Sequence, residues 1–193
     1  ETFIFKNRNL EDVNDSIKEL GNKISRCHIL ALASGVTDVE GVVGNGNFVA
    51  SIACYQALRD FFIQHVSIKD GLILGISEGF QALQKLQLFV PNNGEFSENT
   101  FAIASNPLNK HISTMIKVKV VTNSSPWYSG VKEGDVFDAV LSTGRGRIVC
   151  GEDEYKSLYG NGMIATQFVD CDDKSYNPTK SFYGIESITS ACG

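Results

Sequence analysis

Residues Gly71–Gly79 read Gly-Leu-Ile-Leu-Gly-Ile-Ser-Glu-Gly, an apolar run that ends at a serine between two glycines. Gly71–Ile76 has the continuous apolar character of a parallel strand covered on both faces. The run stops abruptly at Ser77-Glu78-Gly79, and Phe80–Leu86 then carries a helical pattern. Gly75–Gly79 is therefore a G-x-S-x-G pattern at a strand-to-helix junction. The glycines have a physical reason: a nucleophile on a sharp, strained turn leaves no room for neighbouring side chains. In exchange its reactive atom is exposed, and N–H groups at the helix start can stabilise an oxyanion. The motif alone also fits a second reading, a strand turning through glycines with Ser77 only capping the helix. Both stand at this point.

Working outward, Thr2–Phe5 is a short β-prone run. Leu10, Val13, Ile17, Leu20 and Ile24 then recur at spacings of three and four, the stripe of an amphipathic helix. Asn9 reads as its N-cap and Gly21 as a late breaker. Ile29–Ala33 is another fully apolar strand candidate, followed by an irregular glycine-rich stretch, Ser34–Asn47. Phe48–Val66 reads as helix, with Ile52, Tyr55, Leu58, Phe62 and Val66 on one side. Strand, helix, strand, helix, strand, helix is the order of an α/β fold with a parallel sheet, helices lying on both faces.

The second half changes character. Ile112–Val121 alternates as a half-exposed strand. Val136–Leu141, Arg147–Cys150, Ile164–Val169 and Phe182–Ile188 are further strand candidates, and Glu152–Tyr159 is a helix candidate. Turn signals at Asn123–Pro126, Lys132–Asp135 and Tyr176–Pro178 separate them. No repeat, low-complexity tract or linker interrupts the chain, so the reading is one domain.

Composition narrows the function classes. The chain has 193 residues, 42% hydrophobic and 20% charged, with a net charge of −5. An acidic balance gives no electrostatic footprint for nucleic acid or an anionic membrane. Cys27, Cys54, Cys150, Cys171 and Cys192 are odd in number and form no CxxC pair, against structural zinc and a disulfide framework. ETFIFKNRNLED lacks the plan of a signal peptide, and no apolar run approaches about 20 residues. A cytoplasmic protein is the expectation.

A serine hydrolase would need a base and an orienting acid after Ser77. The only later histidine is His111, at the head of an alternating strand; His28 and His65 precede the elbow. His65, beside an apolar helix end, reads as a surface or core-edge residue. Trp127 reads as a packed turn aromatic, and Gly144-Arg145-Gly146-Arg147 as a hairpin turn, since it lacks Walker spacing. Asp170, Asp172 and Asp173 beside Cys171 read as a solvated loop before a metal site. Gly41–Gly46 does not follow the dinucleotide-binding pattern.

Read with its neighbours, Gly75–Leu83 (GISEGFQAL) resembles the G-[IV]-C-N-G-[CF]-Q nucleophile elbow of class I glutamine amidotransferases. Its closest form is the glutaminase domain of the phosphoribosylformylglycinamidine synthases, where a Leu-Val-Pro run follows, as in Leu88-Phe89-Val90-Pro91 here. Five later blocks are similar in the same order. They are Asn106–Met115 (NPLNKHISTM), Val121–Trp127 (VTNSSPW), Val140–Arg147 (VLSTGRGR), Ile164–Asp170 (IATQFVD) and Tyr176–Ser190 (YNPTKSFYGIESITS).

The resemblance implies a class I glutamine amidotransferase-like (flavodoxin-like) three-layer α/β sandwich. Its central sheet would be mainly parallel, with an antiparallel extension from the second half. Residues 1–193 would form a single glutaminase-like domain, lacking the family's first strand–helix unit and its C-terminal end with the late triad histidine and glutamate. In a working relative a cysteine attacks the glutamine amide, forms a glutamyl thioester and releases ammonia. A partner synthetase domain, of the same polypeptide or complex, uses that ammonia in an ATP-dependent ligase step of purine biosynthesis. ATP and Mg belong to that partner, and no cofactor, metal, nucleic acid or membrane is expected for this domain.

The resemblance also assigns site residues, and several depart from the pattern. Ser77 holds the nucleophile position in place of cysteine. A hydroxyl is a far weaker acid than a thiol of pKa about 8.5, and it needs a strong base to react. Glu78 replaces asparagine and brings negative charge to where an oxyanion would form. Gly35 is the one match in Ala33-Ser34-Gly35-Val36, the counterpart of a turn that supplies an oxyanion donor. Gln81 falls in the glutamine pocket, and Asn106 and His111 match the family within their own block. Thr143 and Arg145 replace a histidine and a glutamate. Ser34, Ser77, Glu78, Thr143 and Arg145 depart together, which favours a naturally degenerate active site over a single engineered change. Two alternatives remain: a non-catalytic scaffold that keeps the fold for docking, and a serine hydrolase built on the GISEG elbow.

Overall fold

The computed structural model describes residues 1–33, 51, 56–89, 91–92, 95–96, 101–172 and 176–193. The readings at Ser34–Asn47, Gly35 among them, and at Ile52, Tyr55 and Asp173 lie outside the described residues. The chain divides into two compact units, Glu1–Leu86 and Gln87–Gly193, and each is an α/β or β-rich assembly in its own right.

In the first unit, helix α1 spans Leu10–Ile24. Asn9 caps it as the sequence implies: its side-chain oxygen accepts from the Asp12 N–H at 2.8 Å. Ile17 and Ile24 are buried, whereas Leu10, first of the stripe, is 76% exposed. Gly21 is not a breaker. It lies inside α1, and a Cβ there would sit 2.4 Å from the Phe61 ring, so its role is close approach to helix α2 (Gln56–Ser67). Thr2–Phe5 forms no strand; the adjacent Lys6 N–H donates to the Ser16 hydroxyl at 2.9 Å, pinning the entry to α1.

Strands β1 (Ile29–Leu32) and β2 (Leu72–Gly75) pair in parallel, Ile29 opposite Leu72 and Leu32 opposite Gly75. They are less enclosed than their apolar runs imply: Ile29 is 56% exposed and β2 is half-buried throughout. Helix α3 (Glu78–Lys85) packs Ala82 and Leu83 inward against the pair. His65 is a correction: it is 1% exposed, its imidazole Nε2 lying 3.3 Å from the Leu72 carbonyl. It fits because residue 71 is glycine; a Cβ there would meet the ring at 2.4 Å.

The second unit contains strands β3 (Pro91–Asn92), β4 (Glu95–Phe96), β5 (Ala102–Ala104), β6 (Ile112–Val120), β7 (Val136–Thr143) and β8 (Arg147–Val149). Helix α4 (Glu152–Gly160) and strands β9 (Ile164–Val169) and β10 (Ile185–Ile188) complete it. An antiparallel sheet of order β10-β9-β6-β7 dominates. The alternation of β6 turns Ile116, Val118 and Val120 inward, where the first two meet Leu141 and Phe168.

Three local readings change. Gly144–Gly146 is no hairpin: β7 pairs with β6, while β8 pairs with β5, so the bend carries the chain between two sheets. Phe182–Gly184 is a 3-10 turn ahead of β10, because Tyr183 takes left-handed dihedrals of φ 46° and ψ 26°. Trp127, in the 3-10 turn Pro126–Tyr128, is 39% exposed; its neighbour Ser125 is the packed residue and caps the Trp127 N–H. No helix among the described residues is long and apolar enough to cross a membrane.

Candidate active site

The junction of β2 and α3 has the geometry that the glycine spacing demands. Ser77 sits at φ 55° and ψ −108°, a positive-φ conformation that an L-residue adopts only at a cost. Such strain amounts to about 1–3 kcal/mol and persists only where the surroundings over-determine it. Here they do. The Ile76 N–H donates to the Leu32 carbonyl at 3.0 Å, the Gly79 N–H to the Ile76 carbonyl at 3.0 Å, and the Gln81 N–H to the Ser77 carbonyl at 3.1 Å.

Both motif glycines are sterically required. A Cβ at Gly79 would lie 1.9 Å from the Leu32 carbonyl oxygen. One at Gly75 would lie 2.5 Å from Leu83 Cδ1 and 2.8 Å from the Gly79 backbone. The helix start is thus pressed against the ends of β1 and β2, and the turn projects residue 77 outward. Ser77 is exposed, as is Ile76 before it, while Gly79 is buried.

The capping alternative loses its basis in this geometry. Ser77 occupies the N-cap position of α3, yet its hydroxyl makes no capping hydrogen bond. Among the described residues no side chain hydrogen-bonds to it. Glu78 stands half-buried in the first turn of α3, where its charge complements the helix dipole by about 0.3–1 kcal/mol. Gln81 is 7% exposed, one turn further on. Ser77, Glu78 and Gln81 therefore cluster within one helical turn, while Gly35 falls outside the described residues.

The remaining assigned residues lie in the second unit. Asn106 is 2% exposed and organises its own loop. Its side-chain N–H donates to the Lys110 carbonyl, and its backbone N–H to the Gly144 carbonyl at 3.2 Å. His111 is exposed at the head of β6, its Nε2 lying 3.0 Å from the Ser142 hydroxyl. Thr143 stands opposite Ile112 in the β6–β7 register, with its hydroxyl tucked where a Gly146 Cβ would lie 2.9 Å away. Asn106, His111 and Thr143 are thereby brought to one end of the β6–β7 pair.

A polar network passed unnoticed in the sequence. Thr166, 1% exposed on β9, donates to Glu186 Oε2 at 2.6 Å and lies 2.5 Å from the Ser187 hydroxyl. The Tyr128 hydroxyl lies 2.9 Å from Ser187. A register irregularity in β10 lets Glu186 and Ser187, neighbours that a regular strand would send to opposite faces, both reach Thr166. Burial, partly offset by the bond to Ser187, pushes the Tyr128 phenol above its ordinary value. Residues Asp170–Asp172 form a turn in which the Asp170 carboxylate accepts from the Asp172 N–H at 2.9 Å. Among the described residues no three His, Cys, Asp or Glu side chains gather as a metal site.

Known proteins resemble this chain in sequence and fold. Residues 4–193 match the CobB/CobQ-like glutamine amidotransferase domain, across both units. Phosphoribosylformylglycinamidine synthase subunit PurQ of Methanococcus maripaludis strain C7 is 28% identical over 128 residues, 63% of this chain and 46% of that protein. The subunit of the same name from Synechococcus sp. strain CC9605 is 30% identical over 138 residues, 72% of this chain and 54% of that protein. The chain thus spans about half the length of the curated relatives it matches. Among solved structures, PurLQS from Thermotoga maritima superposes with a TM-score of 0.59 over 82% of this chain and 60% of that chain, at 20% identity. That likeness speaks to the α/β fold.

Proposed function

The chain belongs to the CobB/CobQ-like glutamine amidotransferase domain family, and from that membership we propose that it is a PurQ-like domain of purine biosynthesis that does not hydrolyse glutamine at Ser77. The observation that carries the reading is the elbow: residue 77 is held in a strained, outward-facing conformation between two sterically required glycines, but it presents a hydroxyl.

The chemistry supports inactivity. A serine must lose its proton as it attacks, and among the described residues no base bonds to it. The residue after the nucleophile should offer its N–H to the oxyanion, and here it also carries the Glu78 carboxylate. A carboxylate on that residue raises the energy of an oxyanion forming beside it. Glu78 at the helix start therefore favours α3 and disfavours the tetrahedral intermediate.

On this reading the chain works beside an ATP-dependent synthetase partner, in the cytoplasm, with ATP and Mg on the partner's side. The name PurLQS joins PurQ with further components, which supports a partnered role. The test is ammonia release from glutamine by the native polypeptide, alone and with its synthetase partner, beside Ser77→Ala. The expected result is no release above the uncatalysed rate in either. Release that vanishes in Ser77→Ala would overturn the proposal and favour a working serine.

A further inference from the structure

The second unit carries an exposed aromatic ladder that the elbow chemistry does not use. Tyr155 of α4 stacks on Tyr183 with ring centroids 4.4 Å apart and planes 26° apart, and on Tyr159 at 6.1 Å and 29°. Phe182 supports it from the side, edge-on to Tyr183 at 4.9 Å. The two ends of the ladder face solvent: Tyr159 is 57% and Tyr183 58% exposed. Glu152 lies on the same helical face, and its Oε1 accepts from the Tyr183 hydroxyl at 3.1 Å.

Tyr183 pays for its position. It is held left-handed at φ 46°, although Gly184, which takes such a conformation without strain, is next in the chain. With more than half of its surface in water, Tyr183 is held there by the stack on Tyr155, the edge contact with Phe182 and the bond to Glu152. That orientation presents one ring face outward while fixing the hydroxyl on Glu152.

Charge selects the occupant. Glu152, Asp153 and Glu154 are all exposed in the first turn of α4, against a single Lys156 on the helix. An anionic ligand such as phosphate or nucleic acid is repelled there. Asp153 faces Lys156 at 3.7 Å, and Glu154 folds back over Gly151, where a Cβ would lie 2.3 Å from its carboxylate. Glu152 remains the carboxylate that the ladder itself holds, and it keeps a second oxygen. A flat cation that stacks on a tyrosine face and offers N–H groups to a carboxylate at its edge is a guanidinium. An ammonium gains the charge without the stacking.

We propose that the Tyr183–Tyr155–Tyr159 ladder and Glu152 form a docking surface for an arginine-bearing segment of a partner chain. The surface is complete within the second unit and does not depend on whether Ser77 reacts.

The experiment titrates the whole chain with acetyl-tetra-arginine amide and, separately, acetyl-tetra-lysine amide, by isothermal calorimetry at low and physiological salt. The arginine peptide should bind at least about fivefold more tightly than the lysine peptide, because stacking adds to charge. Tyr183→Asn, a residue that tolerates left-handed dihedrals, should weaken the arginine peptide by about tenfold, and Glu152→Gln similarly. Tyr159→Ala, at the exposed helix end, supplies a second variant should Tyr183→Asn fail to fold by circular dichroism. Equal affinity for the two peptides, or arginine affinity unchanged in both tyrosine variants, would overturn the proposal.

Discussion

Gly79→Ala is the perturbation that most sharply probes the elbow. The new methyl would stand 1.9 Å from the Leu32 carbonyl oxygen and 2.7 Å from its carbon. Both are backbone atoms, so no rotamer change relieves the clash. Ordinary contact begins near 3.4 Å, so β1 and α3 must separate by more than an ångström. That movement breaks the Ile76 N–H to Leu32 bond, now 3.0 Å, which anchors the turn. Overpacking costs about 1–3 kcal/mol, and a lost backbone hydrogen bond about 0.5–1.5 kcal/mol. The variant should therefore lose at least about 1.5 kcal/mol. Equilibrium urea unfolding followed by circular dichroism measures it, with Gly130→Ala as control, since nothing lies within 4 Å of that added methyl. A loss below about 1 kcal/mol in Gly79→Ala would show that Leu32 yields cheaply and that steric need does not explain the motif.

Further outcomes follow from the same contacts. Ser77→Ala should change stability by less than about 0.5 kcal/mol, because no capping bond is lost; a loss of about 1 kcal/mol in urea unfolding would restore the capping reading. Thr166→Val removes the hub between Glu186 and Ser187, and should cost about 2–3 kcal/mol in the same assay. Tyr128 titrates above its ordinary 10.0, so the unfolded chain releases that proton first. Its stabilising contribution is complete below pH 10 and is lost as pH rises through the folded value. Tyr128→Phe should remove that alkaline loss from the stability profile, and an unchanged profile would assign it to other tyrosines.

What the sequence made legible was what neighbouring residues decide. Gly75 and Gly79 announce the elbow because their crowding arises within one turn, and Asn9 announces α1 because its partner is three residues away. The alternation of Ile116, Val118 and Val120 showed β6 for the same reason. The misreadings depend on distant partners. Gly21 looked like a breaker because Phe61, which needs its empty space, is forty residues on. His65 looked peripheral because its burial depends on Gly71 and Leu72 closing over the ring. Gly144–Gly146 resembled a hairpin because nothing local shows that β8 pairs with Ala102–Ala104 instead of β7. At the site, motif similarity picked out Asn106, His111 and Thr143 in separate blocks, but their meeting at one end of the β6–β7 pair depends on the β6–β7 register.

The elbow keeps a conformation that presents residue 77 outward, but that residue offers a hydroxyl in place of a thiol. Native protein and Ser77→Cys, each incubated with an electrophilic glutamine analogue, test it by intact mass and peptide mapping. Mapping is needed because the chain holds five cysteines of its own. An adduct is expected on residue 77 in the cysteine variant and none on Ser77 of the native chain. An adduct on native Ser77 would contradict that expectation, as would a cysteine at 77 that reacts no faster than the exposed Cys171 and Cys192.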